Sequence, residues 1–410
     1  MQQVPNAEIN TEIKLQLKEL ELQSLLEITS AINENAEENH LYKMFKFTLR
    51  SNKYIGKLAL YVLDEIWSCK AFFGTDYNYN NQMLAESILM QHEPCETDSI
   101  DNILPPFDEF QQLLPIKHKS TLLAYVLLSP SDENSMLDTD FIEALTNIII
   151  VAIENKKFAR KQYEQEFFKA QLELARNVQT LLFPKKLPYT SKLKVVADYL
   201  PHQSVGGDYY DYIPINADKF LLCIADVSGK GVPAALLMSN FQAALRILVR
   251  QNLSLKKIVH ELNYLVFQNT QGESFITAFF LEYDFKNKQI LFINAGHNPP
   301  VLFSGNPTNM TLMKDGTTIL GSFKELPFLQ LTELNLVESF LLFAFTDGLT
   351  ETTNENGEEF GTAQLENFLL ANKHIDQKLL HKLLIEELNV FKGENYYADD
   401  ITLLSCGVMI

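Results

Sequence analysis

Cysteine is scarce in this 410-residue chain: Cys69, Cys95, Cys223 and Cys406 lie far apart, with no C-x-x-C pair. That spacing excludes a disulfide framework and a thiolate zinc site, and it suits a reducing cytoplasm. No arginine stands six positions after any of them, so the loop of the cysteine-dependent phosphatases is absent too. The eight histidines include no H-x-x-x-H pair, which argues against zinc of any kind. The longest apolar run, "IIIVAI" at 148–153, falls far short of a membrane span, and "MQQVPNAEINTEIKL" holds no apolar signal core. Positive charge is also short. Against 52 Asp and Glu there are 34 Lys and Arg, and the resulting net charge of -18 repels nucleic acid and anionic lipid. The expectation is a cytoplasmic protein with neither nucleic acid nor membrane as a partner.

What is present is enough apolar residue, 46%, for ordinary packed cores, in a length that accommodates two or three domains. Residues 12–34 place Ile13, Leu17, Leu20, Leu22, Leu25, Leu26, Ile28 and Ile32 at helical spacing, so 1–37 reads as an N-terminal helix. Between 38 and 153, strand-like "KLALYVLDEIW" and "STLLAYVLLSP" precede a long helix capped by Asp138 or Asp140. In that order of elements the region resembles a GAF sensor domain, which implies a small-molecule or protein ligand.

Residues 154–188 read as a helical linker. Tyr163, Phe167, Ala170, Leu174, Val178 and Leu181 are spaced 4, 3, 4, 4 and 3 apart, close to a heptad seam, and "FPKKLP" ends the helix. A single amphipathic helix packed on its own domain has the same pattern; the position between two domains favours a coiled coil and a homodimer. From 189 to 410 the chain turns to short apolar strands bounded by Gly, Asn, Pro or Asp, interrupted by two helical stretches, "VPAALLMSNFQAALRILVRQ" and one near the end. The class is α+β, with a β-sandwich flanked by helices as the last domain.

Several of those strands carry an aspartate at an end or a break: Asp208 after Gly206-Gly207, Asp226 in "IADVSGKG", Asp347 in "FTDGLTE", and Asp399-Asp400 in "ADDITLL". One Asp-Gly after a strand is normally a turn former. A set of them points to convergence at one place, and carboxylates about 4 Å apart repel by about 4 kcal/mol at an effective dielectric near 20. Such groups must protonate, move apart or hold cations. Oxygen donors alone select Mg²⁺ or Mn²⁺.

Six ordered segments, "VGGDYYDYI", "ADVSGKGVPAALLMS", "SFITAFF", "NAGHNPPVL", "FTDGLTETTNENGEEFG" and "DDITLL", closely resemble the PPM metal-dependent serine/threonine phosphatases of the SpoIIE/RsbU branch, over about 172–408. The resemblance implies two divalent cations, Mn²⁺ or Mg²⁺. Asp208, Asp226, Asp347 and Asp399 would be their ligands, with the backbone carbonyl of Val227 as a further one, and catalysis would run through a water the metals activate. Asp211 and Asp400 would support the ligands, Gly206, Gly207, Gly229 and Gly231 would relieve crowding or hold unusual dihedrals, and His297 would be a turn residue. It further implies a phosphorylated STAS-domain signalling protein as substrate. The competing expectation is a non-catalytic sensor-scaffold with a structural metal site.

Overall fold

The computed structural model describes residues 6–409 apart from 102, 133, 134, 136, 203, 306–308 and 337. Contacts divide the chain into two units, Met1–Glu166 and Phe167–Ile410.

The first unit holds α1 (Asn6–Asn33), α2 (Glu38–Ser51), β1 (Ile55–Leu63), β2 (Trp67–Phe73), α3 (Glu86–Leu89), β3 (Cys95–Glu96), β4 (Gln112–His118), β5 (Thr121–Pro130) and the start of α4 (Thr139–Thr180). Its antiparallel sheet has the order β2-β1-β5-β4-β3. Strand alternation divides the side chains between two cores. Leu58, Leu60, Val126 and Leu128 face Phe45 and Leu49 of α2 and Leu145 and Ile149 of α4. Ala59, Tyr61, Tyr125 and Leu127 face the β2–β4 connection, whose Tyr79, Ile88, Phe107 and Phe110 fill that side. The tyrosine hydroxyls there find backbone acceptors: Tyr61 donates to Gln82 O (3.0 Å), Tyr79 to Pro106 O (2.6 Å) and Tyr125 to Gln91 O (2.9 Å). Of the two caps the sequence allowed, Asp138 is the one used, accepting the Phe141 amide at 3.0 Å.

The second unit contains β6 (Leu193–Leu200), β7 (Tyr209–Pro214), β8 (Lys219–Val227), α5 (Val232–Arg250), α6 (Leu255–Thr270), β9 (Ile276–Asp284), β10 (Gln289–Ala295), β11 (Val301–Ser304), β12 (Asn309–Leu312), β13 (Gly316–Thr317), β14 (Thr332–Asn335), β15 (Phe340–Phe345), α7 (Asp347–Thr350), α8 (Gly361–Asn372), α9 (Gln377–Lys392) and β16 (Ile401–Val408). One sheet runs β13-β10-β9-β8-β7, with β14 on β10; the other runs β12-β11-β15-β16-β6. They stack face to face with helices outside both. Successive residues of β8 show why its sequence is a continuous apolar run rather than an alternating one. Phe220, Leu222 and Ile224 enter the core between the sheets, beside Leu342, Leu404 and Cys406. Leu221, Cys223 and Ala225 face α5 and α6, through Met238, Phe241, Leu245 and Leu262. On the far side Phe343, Phe345 and Leu403 pack on Leu365, Leu380 and Leu384 of α8 and α9. A strand covered on both faces has no polar side to show.

The helix α6 lies outside the two helical stretches read from the sequence, although Leu255, Ile258, Val259, Leu262 and Val266 follow a helical period and are buried. The stretch near the end is two helices, α8 and α9, separated at 373–376. Among the described residues α5 is long and apolar enough to cross a membrane. Its apolar face, Ala234, Leu237, Met238, Phe241, Leu245 and Val249, is buried in the domain.

Phe241 anchors α5, with its ring centroid 6.2 Å from Tyr209 and 6.3 Å from Phe280. Phe241→Ala is expected to lower unfolding stability by about 3–5 kcal/mol, read as a lower denaturant midpoint with an unchanged slope in the transition of the second unit.

Candidate metal centre and active site

Antiparallel pairing brings the acids to one end of the sandwich. The end of β8 lies beside the start of β7 (Ala225 opposite Tyr209), and the end of β15 beside the start of β16 (Phe345 opposite Leu403). Asp208 precedes β7, Asp226 is the penultimate residue of β8, Asp347 starts α7 just after β15, and Asp399 and Asp400 precede β16.

Asp208 is 2% exposed. Its Oδ2 accepts from the hydroxyls of Thr346 (2.8 Å) and Thr402 (2.6 Å), while the Thr402 amide donates to Thr346 Oγ1 (2.8 Å). Burial pushes the Asp208 carboxyl well above the ordinary carboxylate range, and the charge of Asp226 adds to this. Asp226 is half-buried and pairs with Asp208; burial, Asp347 and Asp399, in that order, push it up to about 7. Asp347 is raised by burial and then by Asp399. Thus the carboxyls of Asp208, Asp226 and Asp347 are all raised, and the charge of Asp399 contributes at the last two.

Among the described residues no three acidic, histidine or cysteine side chains already converge as a ready-made ligand group. The donor set nevertheless fits a hard divalent cation: it is all oxygen, and the carboxyls of Asp208, Asp226 and Asp347 are raised by burial and by neighbouring carboxylates, a cost that a cation relieves. The backbone supports the same reading. A Cβ on Gly207 would fall 2.8 Å from the Val227 carbonyl oxygen, and one on Gly206 would fall 1.8 Å from Asp400 Oδ2. Glycine at both positions leaves that carbonyl and that carboxylate room.

Asp400 ties the loop before β7 in place, accepting the amides of His202 (2.7 Å) and Gly207 (3.0 Å). Asp211, in the same sequence motif as Asp208, is fully buried and turned to α5, where Arg246 grips it through Nε (2.8 Å) and Nη2 (3.1 Å) and the Tyr209 hydroxyl also bonds it. His297 is buried in the turn after β10; its amide donates to Asn294 Oδ1 (2.8 Å), its Nδ1 meets Thr277 Oγ1 (2.9 Å), and burial lowers its imidazole to about 4.

Three contributors were not picked out from the sequence. Thr346 and Thr402, the hydroxyls on Asp208, are polar residues at the ends of the apolar runs "FLLFAFT" and "ITLL", and that was their only signal. Gln179, near the end of α4, is buried and clamps Gly206 twice: its Nε2 donates to Gly206 O (2.7 Å) and its Oε1 accepts the Gly206 amide (3.3 Å). Nothing in a heptad-like helix marks such a residue. A cleft of about 770 Å³ opens nearby, lined by Phe168, Leu172, Arg176, His202, Val232 and Tyr397 among others.

A helix-flanked double sheet with acids at one end is the fold of a solved PP2C domain. Residues 216–408 match the family model for stage II sporulation protein E (SpoIIE). The phosphoserine phosphatase RsbU of Bacillus subtilis is 29% identical over 274 residues, 67% of this chain and 78% of that protein. Protein IcfG of Synechocystis is 26% identical over 67% of this chain and 46% of its own length. The solved SiaA-PP2C domain of Pseudomonas aeruginosa superposes with a TM-score of 0.52 at 21% identity, covering 60% of this chain and 98% of that domain; this likeness establishes the fold.

The carboxyl of Asp226 makes a pH prediction. Below an ordinary carboxyl pKa of about 3.9 it is protonated in both folded and unfolded chains. Between there and its folded value of about 7 the unfolded chain ionises while the folded one holds its proton, so the penalty grows as pH rises and is complete above that value. In chelator, Asp226→Asn is therefore expected to raise the melting temperature at pH 8, by about 2–4 °C for each kcal/mol relieved, and to have little effect near pH 4. Differential scanning calorimetry at the two pH values checks it.

Proposed function

We propose that the chain dephosphorylates phosphoserine or phosphothreonine on a small signalling protein, a STAS-domain anti-sigma-factor antagonist, in bacterial cytoplasm, under control of its N-terminal unit. The observation that carries this is the gathering of Asp208, Asp226, Asp347 and Asp399 at one end of the sandwich with raised carboxyl pKa values on the first three. These four, with the Val227 carbonyl, are the proposed ligands of two divalent ions, Mn²⁺ or Mg²⁺. When bound, such a pair supplies an activated water and neutralises charge on the phosphoryl oxygens. The residues around it have separate tasks. Thr346 and Thr402 fix one oxygen of Asp208, leaving the other for the site. Asp400 and Gln179 hold the glycine loop in register. The cleft lined by His202, Val205 and Gly231, which none of the four acids lines, is open enough for an extended segment, and Arg176 gives it a cation in an otherwise acidic protein.

Control would pass along α4. Phe167, Leu174, Val178 and Leu181 are 57–64% exposed, as an unpaired seam would be, and Tyr163 is 69% exposed. A second copy of the chain is the proposed cover. The end of the linker reaches the site through two amides: Gln179 on Gly206, and Gln242 of α5, which donates to Leu182 O (3.2 Å). A change in helix pairing would thus move the glycine loop and α5 together. The N-terminal unit, read as GAF-like, would set that pairing in response to a small molecule or protein.

Purified protein is expected to hydrolyse a phosphorylated STAS protein only with added Mn²⁺ or Mg²⁺. Asp347→Asn should lower kcat more than the roughly 10–100-fold typical of losing a residue behind a metal ligand; near-full activity at saturating metal would remove Asp347 from the ligand set. If metal binds and stabilises the protein but no phosphoprotein is turned over, the scaffold reading replaces this one.

For the linker, sedimentation should find the wild-type chain dimeric at micromolar concentration and Phe167→Asp/Leu174→Asp monomeric, with a changed phosphatase rate. Equal mass and rate in both would leave the linker a tether.

A further inference from the structure

Lys230 lies in the "DVSGKG" turn between β8 and α5, four residues beyond Asp226. Its Nζ stands 2.8 Å from Asp399 Oδ2 and donates to Ala398 O at 2.6 Å. The other oxygen of Asp399 accepts the Asp400 amide at 2.8 Å, so both oxygens of this carboxylate are engaged within the chain. The ammonium's charge also reaches Asp347 and Glu351, opposing the upward push of burial on their carboxyls.

We propose that Lys230 is a tethered cation, seated on Asp399 in place of a divalent ion and displaced when that ion binds. The inference rests on the metal reading above, and it adds a residue that competes with the metal rather than holding it. An ion can take Asp399 Oδ2 only if the ammonium leaves. The turn is built for that: Gly229 (φ +92°) and Gly231 (φ +72°) flank the lysine, and a Cβ on Gly229 would meet nothing within 4 Å. The Lys230 side chain is 45% exposed, so water takes over its solvation on release. The internal cation has a role in the metal-free protein as well. Carboxylates at one end of a sandwich repel each other without a counter-ion, and a lysine on a short turn supplies one at high local concentration. Because an exposed ion pair is weak, it can offset repulsion without shutting out the metal.

The test is a Mn²⁺ titration of the full chain followed by melting temperature and by calorimetry, without substrate, for wild type, Lys230→Gln and Lys230→Arg. Without metal, Lys230→Gln is expected to melt below wild type. Its Mn²⁺ midpoint is expected to fall about two- to fivefold, the range of an exposed ion pair. Lys230→Arg keeps the charge and should hold the midpoint at or above the wild-type value. A Lys230→Gln midpoint equal to or above wild type overturns the proposal while leaving the metal site standing. A Lys230→Arg midpoint that falls with Lys230→Gln overturns it too, since charge would then not be the cause. Wild type with no response to Mn²⁺ overturns the metal reading and this inference together.

Discussion

Mutual repulsion among carboxylates at the end of a tightly packed sandwich is the constraint that organises the second unit. Asp208, Asp226, Asp347 and Asp399 are brought together because four strands end at the same level, and those strands are held there by cores on both faces of each sheet. The packing stabilises the domain; the acids oppose it. Each nearby polar contact manages that opposition. Two threonine hydroxyls steady Asp208, backbone amides satisfy Asp400, and an ammonium sits on Asp399. A domain stabilised by about ten kcal/mol can carry a few such repulsions, but only with a dense core beneath them.

The same constraint explains why control of this site could be exercised at a distance. A set of carboxylates gathered at one end of a sandwich is sensitive to small displacements of the elements carrying it. Here one element, the loop Gly206–Asp208, is clamped by Gln179 from the end of α4, and another, α5, is tied by Gln242 to the residues just after that helix. Arg246 on α5 grips Asp211 on β7, so helix and strand move as one piece. Sub-ångström shifts at such contacts can alter how readily the carboxylates close on an ion, because packed elements rearrange in discrete steps rather than bending.

The sequence made the sandwich domain legible to different degrees. Its strands were readable because β8, β9, β15 and β16 are apolar runs bounded by turn residues, and the terminal aspartates stood out against them. The helix α6 is not read from the sequence although its period is clear and Ser254 stands at its N-cap, since "SLKKIVHELNYLVFQN" carries polar residues through every turn and has no proline to announce it. Asp208 and Asp211 look equivalent three residues apart in one motif, yet an odd spacing in extended chain sends them to opposite sides. One meets the acids at the end of the sandwich, the other meets Arg246.

By itself the sequence determined what kinds of group are available: oxygen donors without thiolate or paired imidazole, apolar strands long enough for two sheets, and a seam of large apolar residues along one helix. Those follow from residue type and local period, which need no knowledge of what lies across the core. Only the tertiary structure decided which acids face one another, that Thr346, Thr402 and Gln179 hold the loop and its aspartate, and that Lys230 reaches Asp399 across 169 positions of chain. Hydrogen bonds and ion pairs of that kind depend on distances of about 3 Å between residues remote in sequence, and such distances are set by strand register and sheet stacking.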